Sequence, residues 1–290
     1  MKKAIKILTG VALLSFAAGT VSAQQAPLWL GDWYPEIDLE VRYDDNVNRS
    51  FDGDGQKSDI VFQPELRIEQ QLALGERLFG YAAGTVHGEV YGRYNKLNFI
   101  APGFDVGIRQ QVGQQPETGA LSAGLAMWYE FHNQDPRFGA IFQPRLSADF
   151  EVASALTLSL FYQYDNRFAS ENSVYDREGH TIGLGLAVPV SDVVTIMMGY
   201  DYRNGSVLVH EPLDDLGVEV RGSRLPVDTF RERFEAVRYR DADTHTLALG
   251  LQYEVSLYTS VRGGIVYEDI RTSDDSYPSM QLRFGLSHLL

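Results

Sequence analysis

The 290-residue chain contains no cysteine. That excludes a disulfide framework, a thiol nucleophile, a cysteine-ligated zinc and a lipid anchor through cysteine. Lysine is almost missing as well. Beyond Lys2, Lys3 and Lys6 only Lys57 and Lys96 occur. After residue 23 no run of 18 apolar residues exists, so no spanning helix is expected. Catalytic signatures are absent too: there is no G-x-S-x-G elbow and no H-E-x-x-H. His132 beside Glu130 is the best candidate base for a barrel-embedded hydrolase, yet no serine or second acid converges on it in the sequence. Asp52-Gly53-Asp54-Gly55 resembles a calcium turn, but Val61 stands where the EF-hand pattern needs a glutamate, so a plain β-turn is expected. No catalytic residue, metal or cofactor is expected.

What is present begins with a leader. Lys2, Lys3 and Lys6 form a positive start, Ile7 to Ala18 a short apolar core, and Val21-Ser22-Ala23 a small-residue cleavage site. Residues 1–23 read as a cleaved signal peptide and 24–290 as the exported domain. Without the leader, 25 less 3 basic residues face 39 acids, a net charge of −17. Such acidity argues against nucleic acid as a partner.

The exported part is dominated by alternation. Met280, Leu282, Phe284 and Leu286 interleave with Gln281, Arg283, Gly285 and Ser287. Leu156, Leu158, Leu160, Tyr162 and Tyr164 interleave with Thr157, Ser159, Phe161, Gln163 and Asp165. A period of two means β-strand with one apolar and one polar face. The segments run about ten residues or more, against five or six in soluble sheets. Long strands, charged polar faces and turns that alternate short and long predict an all-β, antiparallel, up-and-down transmembrane barrel of 12 strands, with 10 or 14 as neighbouring counts. A secreted soluble β-protein is the competing reading.

The spacing predicts strands near 36–47, 60–74, 78–95, 104–112, 120–132, 140–152, 156–165, 180–190, 194–202, 244–255, 257–270 and 279–290. A bulge is expected at Ala82-Ala83-Gly84, where the alternation slips. The longer loops follow odd-numbered strands, which places them outside the cell. Tyr43, Tyr94, Phe131, Tyr164, Tyr202 and Tyr267 fall near the outer ends of odd strands and read as an aromatic girdle. The end, Arg283 to Leu290, resembles the outer-membrane assembly signal, although His288 and the terminal Leu290 depart from it. The expected partners are the outer-membrane bilayer, its assembly machinery and small hydrophilic solutes.

The polar faces supply candidate lumen residues. The acids are Glu36, Asp38, Glu40, Glu65, Glu69, Glu89, Glu130, Asp149, Asp165, Asp201 and Glu268, with Asp44 and Asp105 on the same parity. The cations are Arg42, Arg67, Arg93, Arg109, Arg145, Arg262 and Arg283, with Arg203. Facing acids and arginines would set a transverse field across a water-filled channel, or would pair and close a narrow barrel. An excess of unpaired acids would favour cations. One long insertion, 204–243, carries Arg221, Arg224, Arg231, Arg233, Arg238 and Arg240. It would either fold inward and constrict the lumen, its arginines meeting lumen acids, or stand up as an extension of its flanking strands.

Tyr43-Asp44-Asp45-Asn46, Ser58-Asp59, Pro64 and Tyr91-x-Arg93-Tyr94 together resemble the opening of the outer-membrane β-barrel porin 2-like family, over residues 37–95. The resemblance implies a barrel and a porin label, without a substrate or catalytic residues. The expected function is a passive or gated outer-membrane channel for small hydrophilic solutes. The alternatives are a surface-export or assembly accessory guiding a protein or polysaccharide client, and a barrel hydrolase.

Overall fold

In the computed structural model the described residues are 33–50, 55–113, 119–133, 137–153, 156–171, 173–212, 223–227, 229–230, 234–273 and 275–290. The leader, the Asp52–Asp54 part of the calcium-like turn, and Arg221, Arg231 and Arg233 lie outside them. The chain forms β1 (Trp33–Asp44), β2 (Asp59–Ala73), β3 (Leu78–Tyr91), β4 (Phe99–Gln111), β5 (Gly119–His132), β6 (Gly139–Ala153), β7 (Leu156–Ala169), β8 (Arg177–Pro189), β9 (Val194–Pro212), β10 (Ser223–Val227), β11 (Phe234–Glu254), β12 (Thr259–Arg271) and β13 (Ser276–Leu289).

All thirteen lie in one antiparallel sheet. Each strand pairs with the next, β13 pairs with β1, and β9 skips the short β10 to pair with β11. Set β10 aside and twelve strands close a barrel, which satisfies every edge. Short turns join one end. Leu74 and Gly75 donate to the Leu78 carbonyl (2.8 and 3.1 Å), and Val190 with Ser191 and Val255 with Ser256 repeat the pattern. Ser191 Oγ accepts from the Val194 amide (3.1 Å), fixing one of these turns.

The closed wall sorts side chains by parity. Leu39, Val41, Phe62, Leu66, Ile68, Val106, Ile108, Leu184, Leu247, Leu249, Leu251, Ile265, Leu282 and Phe284 are exposed, though large and apolar. In water such a belt would aggregate; around a closed barrel it is the lipid-facing surface. Asp38, Glu40, Asp105, Glu130, Gln252, Gln281 and Arg283 are buried inside. Tyr43, Phe131 and Tyr267 are exposed near the strand ends opposite the short turns. Tyr164 and Tyr202 join the girdle by packing on His180 and His245, with centroids 4.9 and 5.4 Å apart.

Three expectations are corrected. The β2–β3 ladder keeps one register from Val61↔Tyr91 to Ala73↔Phe79, so no bulge sits at Ala82–Gly84. Glycine and alanine simply take lipid-facing positions while Tyr81 turns inward, which disguised an unbroken alternation. Register shifts occur instead at Glu151/Ala153 and Tyr239/Ala242. Second, β3 ends at Tyr91, so Arg93 is an exposed loop residue whose amide donates to Asp59 (3.0 Å), not a lumen residue. Third, Tyr94 leaves the girdle and packs on Phe230, with centroids 4.9 Å apart.

The described part of the insertion stands up at its base and leans over the rim beyond it. Its base stands up, with β9 and β11 paired as far as Pro212↔Phe234. Its far part reaches the loops around the rim. Phe230 and Phe234 pack with Leu97, Tyr91, Tyr94 and Val47 from the β1–β2 and β3–β4 connections. Ala236 and Leu208 pack on Val174 and Tyr175 before β8. Contact with such separated parts of the rim requires the segment to cross the mouth.

The outward face sets a prediction. Leu249→Arg, on the lipid side of β11, should destabilise the barrel by about 2–4 kcal/mol. Thr246→Arg, which points to the lumen, should stay within about 1 kcal/mol. Reversible denaturant unfolding in lipid vesicles measures both, and equal penalties would contradict the assigned parity.

Candidate functional site

Twelve strands about 4.8 Å apart and tilted about 40° close a cylinder about 24 Å across between backbones. Side chains reaching in from opposite walls span much of that width. They leave a cavity of about 670 Å³. Of the expected lumen residues, Asp38, Glu40, Glu65, Arg67, Glu89, Glu130, Arg145, Asp165, Asp201, Arg262 and Glu268 line it.

Asp105 and Arg203 line it as well, and the remainder apart from Arg93 sit beside the cavity. Glu36 is buried near the inner rim and accepts from Ser287 Oγ (2.6 Å). Glu69 pairs with Arg67 (2.6 Å) and Arg42 with Glu89 (3.4 Å). Asp149 accepts from Ser159 (2.8 Å), and Arg109 is half-buried on the inward face of β4. Arg283 is buried 3.8 Å from Glu40.

Pairing dominates the lumen. Arg262 bridges Asp38 (2.6 Å) and Glu40 (3.7 Å). Asp105 gathers Arg67 (3.1 Å), Arg145 and the Tyr81 hydroxyl (3.4 Å) from β2, β6 and β3. Arg49 joins Asp44 (3.0 Å) to Glu268 (2.8 Å). Arg167 holds Glu130 (2.8 Å), and Arg203 holds Asp165 (3.1 Å). A carboxylate held by guanidinium forks offers little free charge to a passing ion. The condition for a cation preference, an excess of unpaired acids, therefore fails at these pairs.

The loop arginines do not meet lumen acids as the constriction reading required. Arg238 donates to the Ser173 carbonyl (2.9 Å) and lies 3.9 Å from Asp176, fastening the hairpin to the β7–β8 connection. Arg240 is exposed, and Arg224 sits in β10. The mouth is crossed by other groups. Arg137 Nη2 donates to His210 Nε2 (3.0 Å) and to Thr229 Oγ1 (3.1 Å). Asn48 Nδ2 donates to the His210 carbonyl (3.3 Å), and the His210 amide to the Asn48 carbonyl (2.9 Å). His210 lies edge-on to Phe230, with centroids 5.1 Å apart. Because Nε2 accepts, the ring must be neutral with its proton on Nδ1. Burial, then the neighbouring Arg137 cation, holds the His210 pKa well below the usual histidine range.

Several functional side chains escaped the sequence reading. Arg49, Arg137 and Arg177 fell in segments read as loops, although Arg177 opens β8. Arg167 continues the Gln163–Asp165 parity and was findable by extending that strand. Trp128, Phe99 and Phe161 face the cavity. Phe161 fits because position 183 is glycine: a Cβ there would lie 2.0 Å from the Phe161 ring.

No family model and no curated protein matches the sequence. Solved structures do match. An outer-membrane channel from Pseudomonas putida F1 superposes with a TM-score of 0.62 at 8% identity, covering 94% of this chain and all of that one. The fold is that of an outer-membrane β-barrel. The Pseudomonas putida toluene transporter TodX reaches a TM-score of 0.46 at 10% identity over 90% of each chain. The NanC porin reaches 0.46 at 12% identity, covering 88% of this chain and 100% of that one. Identities this low carry the fold alone, and the first of these superpositions carries it.

Asp105 tests the pairing inside the barrel. Its side chain is 3% exposed and serves two arginines. Asp105→Ala strands both and should cost about 3–5 kcal/mol. Glu65 makes no ion pair among the described residues, so Glu65→Gln should change vesicle unfolding by less than about 1 kcal/mol. A reversed order would contradict the pairing described.

Proposed function

We propose that the protein is a gated outer-membrane channel for small hydrophilic solutes, with the 204–243 insertion as its gate. The observation that carries this reading is a polar, charge-lined cavity inside a lipid-facing barrel, with one segment latched across its mouth through Arg137, His210, Thr229 and Phe230. Arginine–acid pairs keep the lumen wet and ionised, so ions and polar solutes pass without shedding all their hydration. A cavity of about 670 Å³ is too small for a folded client, which disfavours the export-accessory reading. His132 binds Glu130 (3.1 Å), but Arg167 shares that carboxylate, which suits a structural pair better than a hydrolytic base.

The latch makes gating sensitive to acid. With its pKa depressed in the closed state, His210 binds its proton more readily once the latch opens. Closure is fully stable above about 6.5, the ordinary value, and weakens as pH falls below it. Protonation of Nε2 would also replace an accepted hydrogen bond by repulsion from Arg137.

Full-length protein in planar bilayers tests the reading. Unitary conductance steps are expected, and deleting residues 213–233 should raise conductance or open probability. A reproducible absence of steps in both proteins would refute the channel. Open probability should rise as pH drops from 7 to 5, and His210→Gln should flatten that response. Opening at alkaline pH would refute the latch.

A further inference from the structure

Arg167 and Arg177 are direct cross-strand partners on β7 and β8, and both line the cavity. Like charges directly opposite one another destabilise a sheet. Arg137 and Arg203 line the same cavity, with Arg203 packed over Gly179, where a Cβ would lie 2.5 Å from its guanidinium. Among the described residues only Glu130 and Asp165 form ion pairs with these four cations, and each is already held, by Arg167 and Arg203. Arg177 makes no ion pair within 4.0 Å among the described residues. Beside them, on the inward faces of β3, β4 and β5, stands an aromatic wall. His87 lies 5.5 Å from Trp128 and 6.0 Å from Phe99, and Phe99 lies 5.1 Å from His132. Flat apolar rings gain nothing by facing only water.

We propose that this outer half of the lumen binds a small aromatic carboxylate, its carboxylate on the Arg177 fork and its ring against Trp128 and Phe99. Arginine's planar donors match a carboxylate bidentately, and the surplus positive charge is then neutralised by the ligand. Aromatic faces take the ring by stacking. The cavity, about 670 Å³, falls in the size range of small-molecule sites. This deepens the channel reading and relies on it for access to the lumen.

The test titrates benzoate into the detergent-solubilised full chain by calorimetry, with acetate and benzyl alcohol as the charge-only and ring-only probes. Benzoate should bind more tightly than either. Arg177→Gln should weaken benzoate at least tenfold, Arg177→Lys less, and Trp128→Ala several-fold. Unchanged electrophoretic heat-modifiability reports that each variant still folds. Benzoate binding that is indifferent to Arg177→Gln, or matched by acetate or by benzyl alcohol, overturns the proposal. Calorimetry does not require conduction: binding without conductance steps would sink the channel and keep the site, whereas conductance without benzoate binding would sink the site alone.

Discussion

A closed sheet between two immiscible surroundings is the constraint from which the rest follows. In hydrocarbon every backbone donor and acceptor must find a partner within the protein, and a barrel achieves this only when its last strand meets its first. Here the closing pair is β1 with β13, in register from Glu36↔Leu289 to Asp44↔Gln281. Closure also removes choice from the side chains. Once Leu39 and Val41 face lipid, Asp38, Glu40 and Arg42 must face inward, and Arg262 and Arg283 from β12 and β13 meet them.

That inward crowding explains the pairing. A lone carboxylate inside a narrow barrel loses much of its hydration, while its attraction to a neighbouring guanidinium grows as the local dielectric falls. Pairs spaced around the wall, such as Asp38–Arg262, Asp105–Arg145 and Asp165–Arg203, tie strands that are second neighbours in the sheet. The acidic total of the sequence therefore misstates the field inside. What matters is local surplus, and between β5 and β9 the surplus is arginine.

Alternation made the barrel legible. Clean dyad segments and a rhythm of short and long turns were enough for twelve strands and the identity of the wall's two faces. The rule failed where its assumption of large apolar residues outside failed. Ala82 and Gly84 face lipid without being greasy, so a continuous strand looked bulged. It failed again at strand ends, where no periodicity says how far pairing continues. Arg93 was carried too far along β3, Arg167 was left just past the end of β7, and Arg177 was left to a loop. The lid was beyond its reach for a different reason. His210, Thr229 and Phe230 meet Arg137, Asn48 and Tyr94 across the mouth, at sequence separations of 73 and 92 residues for the Arg137 contacts. Nothing local encodes those meetings.

The same separations say what kind of lid this is. A loop that merely filled space would be held by apolar packing, which is indifferent to charge and direction. This one sets Phe230 and Phe234 among Leu97, Tyr91 and Tyr94, but it also brings a neutral histidine to an arginine. Apolar packing alone would hold the mouth shut at any pH. A hydrogen bond that survives only while His210 lacks a second proton would make closure of the proposed gate conditional. In the proposed gate the packing would set how strongly the lid is held, and the histidine when it is released. The acceptor lost on protonation and the repulsion gained from Arg137 act in the same direction, so a change of one proton is read twice by the latch.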